Sequence, residues 1–142
     1  MPSLPKTPTD YAIQLRDHLV VVLAAELGTY TWEPGTTAPA IRVEDGSVTD
    51  RGTPTVEGLE VVLQPSVAST IVPILRGYQE KLMVRVTCKQ WDLQRTIEDV
   101  LRLLLDDFSA TIEGITRVPR NTRLDTIDTL TVTTVRTITT HF

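Results

Sequence analysis

The side chains of this sequence that are best able to do chemistry are few and far apart. The 142 residues include two histidines, His18 and His141, and one cysteine, Cys88. Nucleophilic catalysis needs a nucleophile, a base and an orienting group close together. One histidine lies in the middle of a predicted helix and the other is the penultimate residue, which favours solvated or locally paired side chains. Cys88 alternates with Val84 and Val86, which predicts a small buried side chain.

The carboxylates and glycines show no motif that would hold a cofactor. CxxC and HxxxH, two spacings typical of zinc sites, do not occur. The acidic segment 44–47 lacks the ligand spacing and the closing glutamate of an EF-hand. GxxxxGK[ST], GxGxxG and GxSxG do not occur either. Asp106 and Asp107 fall at a predicted helix end, which leaves either an exposed terminus or a paired-carboxylate site. We expect no metal, no cofactor and no enzymatic activity.

Charge excludes one class of function and singles out two segments. The chain has 14 Lys and Arg against 18 Asp and Glu, for a net charge of −4. This balance argues against a protein that coats duplex nucleic acid, which needs many basic side chains. Residues 44–57 have no periodicity and predict a long exposed loop, and loops of this length are usually either functional or disordered. Three arginines surround a predicted turn at 117–123, where they form either a solvated rim or a contact for phosphates or an acidic partner.

Two helices are predicted from apolar residues that recur every three or four positions. The first spans Pro8 to Leu27, with Thr7 as its N-cap and Gly28 as its C-terminal stop. The second spans Asp92 to Phe108, with Asp92 as its N-cap. The apolar stripe of the second helix consists of Leu93, Ile97, Val100, Leu101, Leu104, Leu105 and Phe108.

Strands are predicted where apolar residues alternate with polar ones. The predicted segments are Tyr30–Trp32, Pro39–Val43, Leu59–Gln64, Ile71–Leu75, Glu80–Cys88, Thr111–Val118 and Thr126–Thr140. Pro73 suits an edge strand or a bulge. In the segment 80–88, Leu82, Val84, Val86 and Cys88 share one face, and Lys81, Met83, Arg85 and Thr87 share the other. Threonine accounts for 23 residues and is concentrated in the last strand. In that strand Val135 interrupts the alternation, which suggests a bulge or a segment covered on both faces.

These elements predict one α+β domain over residues 1–142. Its antiparallel, mixed-order sheet has about five or six strands, and the two main helices pack on one face. Residues 1–8 form a loose lead-in, and residues 44–57 form the long loop. The longest apolar run, Leu19–Ala25, is too short to span a membrane, so we expect no membrane partner.

The order of these elements resembles the tail terminator proteins of long-tailed bacteriophages, which are also called tail completion or minor tail proteins. The resemblance rests on the helix ending at Gly28, the strand Pro39–Val43, the strand containing Leu82–Val86, the helix Asp92–Phe108 and a final strand containing Leu130–Val135. It covers most of the chain and is architectural, because the family has no diagnostic short motif. Neck and head–tail joining proteins of similar size share parts of the pattern.

The resemblance implies a structural virion protein of the tail or neck, assembled in the host cytoplasm. Its partners would be further copies of itself in a ring, typically a hexamer, together with the tail tube protein and the head-side stopper or connector. DNA would pass through the lumen without specific binding. The alternatives are a head-completion or stopper protein and, in another class, a small-ligand binding module or accessory enzyme. By this analogy the candidate contacts between subunits or rings are Glu44, Asp45, Asp50, Arg51, Arg117, Arg120 and Arg123.

Overall fold

The chain folds around a six-stranded sheet that carries two helices on one side and a smaller sheet near one end of the other side. The computed structural model describes residues 4–33, 35–44, 52–120 and 127–142. The helices are α1 (Pro8–Val22) and α2 (Glu98–Phe108). The strands are β1 (Thr29–Trp32), β2 (Thr36–Pro39), β3 (Ile41–Val43), β4 (Thr55–Glu57), β5 (Leu59–Pro65), β6 (Thr70–Ile74), β7 (Gly77–Gln90), β8 (Ile112–Val118) and β9 (Asp128–His141). The α+β class is therefore confirmed.

The large sheet is mixed in direction and mostly antiparallel. Its strand order is β3-β5-β7-β9-β8, and β6 pairs with the first part of β7. Only β3 and β5 run parallel within the described strands. The small sheet has the order β2-β1-β4 and is antiparallel throughout. The strands β7 and β9 pair over their full length of 14 residues each, so they form the long central pair of the large sheet.

One hydrophobic core joins both helices to one face of this sheet. The alternation predicted for β7 is confirmed, because Leu82, Val84, Val86 and Cys88 are all buried. The same cluster is completed by buried side chains of α1, α2, β5 and β9 and by Ile97, which directly precedes α2. Among the members from these elements are Leu15, Leu19, Leu59, Val61, Leu63, Val100, Leu104, Leu130 and Val132. Burial of these apolar surfaces is the main stabilising contribution to a fold of this kind.

The first helix begins as predicted and ends earlier. Thr7 is the N-cap, and its hydroxyl accepts a hydrogen bond from the backbone N–H of Asp10 at 3.1 Å. The last helical residue is Val22, not Leu27. The chain leaves the helix because it must bring Leu27 beside Leu59 of the large sheet, with which it forms a parallel bridge.

Gly28 has a different role from the predicted helix stop. Its N–H donates to the carbonyl of Leu59 at 2.8 Å, and its own carbonyl accepts from the N–H of Ala40 at 3.0 Å. A Cβ at this position would lie 1.9 Å from the carbonyl oxygen of Glu57. Glycine is needed here because several segments of backbone come together at this point.

The second helix begins at Glu98, so the predicted N-cap Asp92 is wrong. The Asp92 carboxylate instead accepts from the N–H of Gln94 at 2.9 Å, within a turn. The backbone carbonyl of Ile97 accepts the first helical hydrogen bond, from Leu101 at 3.0 Å. Leu93, predicted to lie on the apolar stripe, is exposed because it lies in that turn.

Several strand boundaries also differ from the predictions. Pro39 was predicted as the start of the next strand, but it is the last residue of β2, which begins at Thr36. Ala40 separates β2 from β3, and it is buried where it bonds to Gly28 and Val61. The predicted loop 44–57 contains a strand, β4, at its end. The prediction of an edge strand at Pro73 is confirmed, because β6 pairs only with β7 in the described part of the chain.

The bulge predicted at Val135 lies elsewhere. The strand β9 pairs with β7 in one unbroken register from Asp128 to His141. The register shifts on β8, between Ile112 and Gly114. The alternation is broken by Thr134, whose buried hydroxyl donates to the carbonyl of Val84 at 3.0 Å. A threonine is therefore accommodated on the core face because its hydroxyl finds a partner there.

Candidate functional site

The seven predicted contact residues do not come together at one place. Glu44 is exposed at the end of β3, where its carboxylate accepts from the side-chain amide of Gln64 at 2.9 Å. Arg117 and Arg120 lie at the opposite edge of the large sheet, on β8 and just after it. The other four, Asp45, Asp50, Arg51 and Arg123, lie outside the described residues.

Arg117 forms a network with the start of β9 and the start of α2. Its guanidinium donates to both carboxylate oxygens of Asp128, at 3.2 and 3.0 Å, and lies 3.5 Å from the carboxylate of Glu98. Asp128 is only 2% exposed, and one of its oxygens also accepts from the N–H of Ile97 at 3.2 Å. The hydrogen bonds with Asp128 raise the pKa of Arg117 above its ordinary value. This network fixes the N-terminus of α2, where a negative charge is favourable.

Arg120 organises the turn that precedes α2. Its guanidinium donates to four backbone carbonyls in the segment 90–95. These carbonyls belong to Gln90, Asp92, Leu93 and Arg95, and the shortest distance is 2.8 Å, to Asp92. Carbonyls that accept from Arg120 are directed away from the N–H groups with which they would pair in a helix. This explains why α2 begins at Glu98 and not at Asp92. The structure thus places Arg117 and Arg120 in contacts within the chain.

The large sheet has a second face, on the side away from the helices, that we call the open face. Cross-strand pairs place Lys81, Met83 and Arg85 of β7 beside Thr137, Val135 and Thr133 of β9, respectively. The three β7 residues are exposed, and the three β9 residues are half-buried or exposed. In the described residues, neither Lys81 nor Arg85 lies within 4.0 Å of a carboxylate oxygen. The alternation along β7 predicted that these residues share a face, but it did not predict which layer packs on that face.

The helix layer presents a mainly acidic surface on the other side of the molecule. Successive residues of an α-helix are 100° apart, which places one set of exposed residues of α2 on a single outward arc. This set consists of Glu98, Asp99, Arg102, Leu105 and Asp106. It contains three carboxylates and one guanidinium, and Leu105 is its apolar member.

His18 pairs with a residue far away in sequence. Its Nε2 is hydrogen-bonded to a carboxylate oxygen of Asp107, so this contact joins α1 to the end of α2. The neighbouring Asp17 pairs instead with Arg16 at 3.1 Å. Asp107, predicted to lie at an exposed helix end or in a paired-carboxylate site, therefore has a structural partner.

A cleft of about 500 Å³ between the two sheets contains a residue group that the sequence did not single out. Glu60 on β5 is 7% exposed, and its carboxylate accepts from the Tyr30 hydroxyl at 2.7 Å and from the Trp91 indole N–H at 3.2 Å. Burial, reinforced by Glu60, raises the pKa of Tyr30, so this phenol stays neutral and acts as a donor. Glu60 was missed because its alternation with Leu59 and Val61 is also typical of a solvent-exposed side chain.

The remaining reactive groups lie apart from this cleft. Cys88 is fully buried, and burial raises the pKa of its thiol to about 12. Within the described ranges, no three His, Cys, Asp or Glu side chains lie close enough together to hold a metal ion. Both helices of the described part fall short of the length and apolar character that crossing a membrane requires.

No protein family model matches the chain, and no curated protein matches its sequence.

Proposed function

We propose that this chain is a tail terminator protein of a long-tailed bacteriophage. In this role it forms a ring, by analogy a hexamer, that caps the finished tail tube and stops its polymerisation. The ring also offers a docking face to the head-side connector, and DNA passes through its lumen without specific binding. The mechanism is surface complementarity between subunits and involves no reaction.

The observation that carries the proposal is the open face of the long β7–β9 pair. From Leu82 onwards, one side of this ladder is buried in the core that it shares with the helices. On the other side Lys81, Met83 and Arg85 are exposed beside half-buried or exposed residues of β9. A sheet face of this kind is suited to contact another protein surface. The order of helices and strands is also compatible with the family that the sequence resembles.

Exposed strand edges support assembly as well. β8 lies at the edge of the large sheet, and all of its residues except Ile112 are exposed. Its apolar side chains Ile115 and Val118 are among the exposed ones. In a monomer, an exposed edge strand of this kind can pair with other chains and cause aggregation. An assembly prevents this aggregation by covering the edge.

The test is a capping assay with the tail tube protein from the same genome. The purified chain is added to growing tubes, and tube length is measured by electron microscopy. We expect elongation to stop, with a ring visible at the tube end, and light scattering to show a hexamer-sized particle alone or with tubes. An equal amount of the Val84→Asp variant, which places a charge at a fully buried position of the core and should not fold, serves as the control.

The same assay separates the alternatives. A chain that binds the portal or its adaptor and leaves tube growth unchanged is a stopper protein. A stable monomer that leaves tubes unchanged and binds a small ligand in the cleft beside Tyr30 and Glu60 is a ligand-binding module. Either result contradicts the proposed function.

A further inference from the structure

The open face has a compact patch with an apolar centre and basic ends. We call it the sheet patch and define it as Lys81, Met83, Arg85, Thr133, Val135 and Thr137. Met83, which is 40% exposed, and Val135 form the centre. Lys81 and Arg85 lie on either side of Met83, about 13 Å apart at the usual rise of a strand.

The outward arc of α2 carries the opposite charge, with an apolar residue among carboxylates. We call it the helix patch and define it as Glu98, Asp99, Arg102, Leu105 and Asp106. Leu105, also 40% exposed, is its apolar residue. Asp99 and Asp106 are two helical turns apart, about 10 Å along the axis. Neither forms an ion pair with a described residue.

From this complementarity we propose that the sheet patch of one copy docks on the helix patch of the next copy. Met83 and Val135 meet Leu105, while Lys81 and Arg85 meet the carboxylates of Asp99 and Asp106. The spacing of the two cations matches that of the two carboxylates within the reach of lysine and arginine side chains. The inference deepens the proposed function, on which it rests, by naming the contact that builds the ring.

The position of the two patches favours a head-to-tail assembly. The core residues of β7 and β9 face the helices, so the sheet patch and the helix patch lie on opposite sides of the same subunit. Each copy therefore offers one patch to each of two neighbours. Such heterologous contacts generate a closed ring when the rotation between subunits closes, whereas a self-complementary patch generates a dimer.

The experiment is a charge swap measured by sedimentation velocity over a range of protein concentrations. Arg85→Glu alone, Lys81→Glu with Arg85→Glu, and Asp99→Lys with Asp106→Lys should each weaken self-association at least tenfold. The quadruple variant that combines the two double substitutions should recover most of the loss. Lys6→Glu, which makes the same charge change at an exposed residue outside both patches, should associate like the wild type. Circular dichroism checks that each variant is folded.

Salt gives a second readout, because exposed ion pairs are screened at high ionic strength. Association of the wild type should weaken between 50 and 500 mM NaCl, and association of Arg85→Glu should depend less on salt. Binding to a 30-base-pair DNA duplex is measured in parallel by fluorescence anisotropy. An effect of Arg85→Glu on duplex binding alone, with association unchanged, would assign the open face to nucleic acid and overturn the inference.

Two other results would also overturn it. Unchanged association of Arg85→Glu would exclude the sheet patch, and a quadruple variant that stays dissociated would show that the two patches do not meet. Failure of the proposed function is distinguishable, since tube capping is measured separately. A monomer that caps tubes removes the inference and keeps the function, whereas a charge-dependent ring that does not cap tubes removes the function and keeps the inference.

Discussion

Asp128 connects three elements of the fold through its carboxylate. Its carboxylate is buried at the first position of β9, and it accepts hydrogen bonds from Arg117 of β8 and from the N–H of Ile97 ahead of α2. A carboxylate in this position is stabilised by a guanidinium and by the N-terminus of a helix. One acidic side chain thus connects the consecutive strands β8 and β9 to the start of α2, which lies 31 residues earlier in the chain at Ile97.

Asp128→Asn should lower the free energy of unfolding by about 2 kcal/mol. The amide keeps the size of the side chain but loses the charge-assisted hydrogen bonds to Arg117 and directs N–H groups at donors. Urea denaturation followed by circular dichroism measures the change. Glu33→Gln, the same kind of substitution at an exposed side chain, should change stability by less than about 0.5 kcal/mol. Equal effects of the two substitutions would contradict the role assigned to Asp128.

At the scale of elements, the correct predictions concern features that are determined by residues within or next to the same element. The face of β7 that contains Leu82, Val84 and Val86 was predicted correctly, because alternation directly records burial on one side of a sheet. The start of α1 was also predicted, since Thr7 is adjacent to the helix that it caps. The start of α2 was not predicted, because Arg120 and Asp128 determine it from about 30 residues away.

The candidate site was harder to predict from the sequence, because its contacts also join residues that are distant in sequence. Arginines beside a turn, such as Arg117 and Arg120, look alike in sequence whether they bind a partner or the carbonyls and carboxylates of their own chain. The polar face of β7 was visible as a pattern, but the pattern does not say which layer covers it. The buried state of Glu60 depends on Tyr30 and Trp91, which nothing near Glu60 in the sequence reveals.

Gly28 provides a test at the same scale, because its two possible roles, a helix stop and a site of close backbone contact, predict different results. Gly28→Ala should destabilise the protein by about 1–3 kcal/mol or more, since the new methyl group overlaps the carbonyl oxygen of Glu57 and forces backbone to move. Gly114→Ala is the matched control, because no atom lies within 4 Å of the position of its Cβ. Thermal unfolding of both variants measures the difference. A loss confined to the helical signal, with the same unfolding midpoint, would instead support the role of a helix stop.

At the scale of the whole molecule, the two sheets should unfold as one unit. The small sheet is joined to the large one through the hydrogen bond from the Tyr30 hydroxyl of β1 to Glu60 of β5. Backbone hydrogen bonds of Gly28 and Ala40 make the same connection. Both helices share a core with the large sheet. Every layer therefore depends on β5, so partial unfolding of any one layer would expose buried groups of the others.

The two tryptophans allow this cooperativity to be measured. Trp32 lies in the small sheet and Trp91 beside its junction with the large one, so fluorescence reports on the junction, while circular dichroism at 222 nm reports mainly on the helices. We expect the two signals to give the same midpoint in urea, as a two-state transition requires, at protein concentrations low enough to prevent association. Glu60→Gln should move both midpoints together. A fluorescence transition at lower urea than the helical one would show that the small sheet is a separate folding unit, and the prediction of a single domain over residues 1–142 would then be wrong.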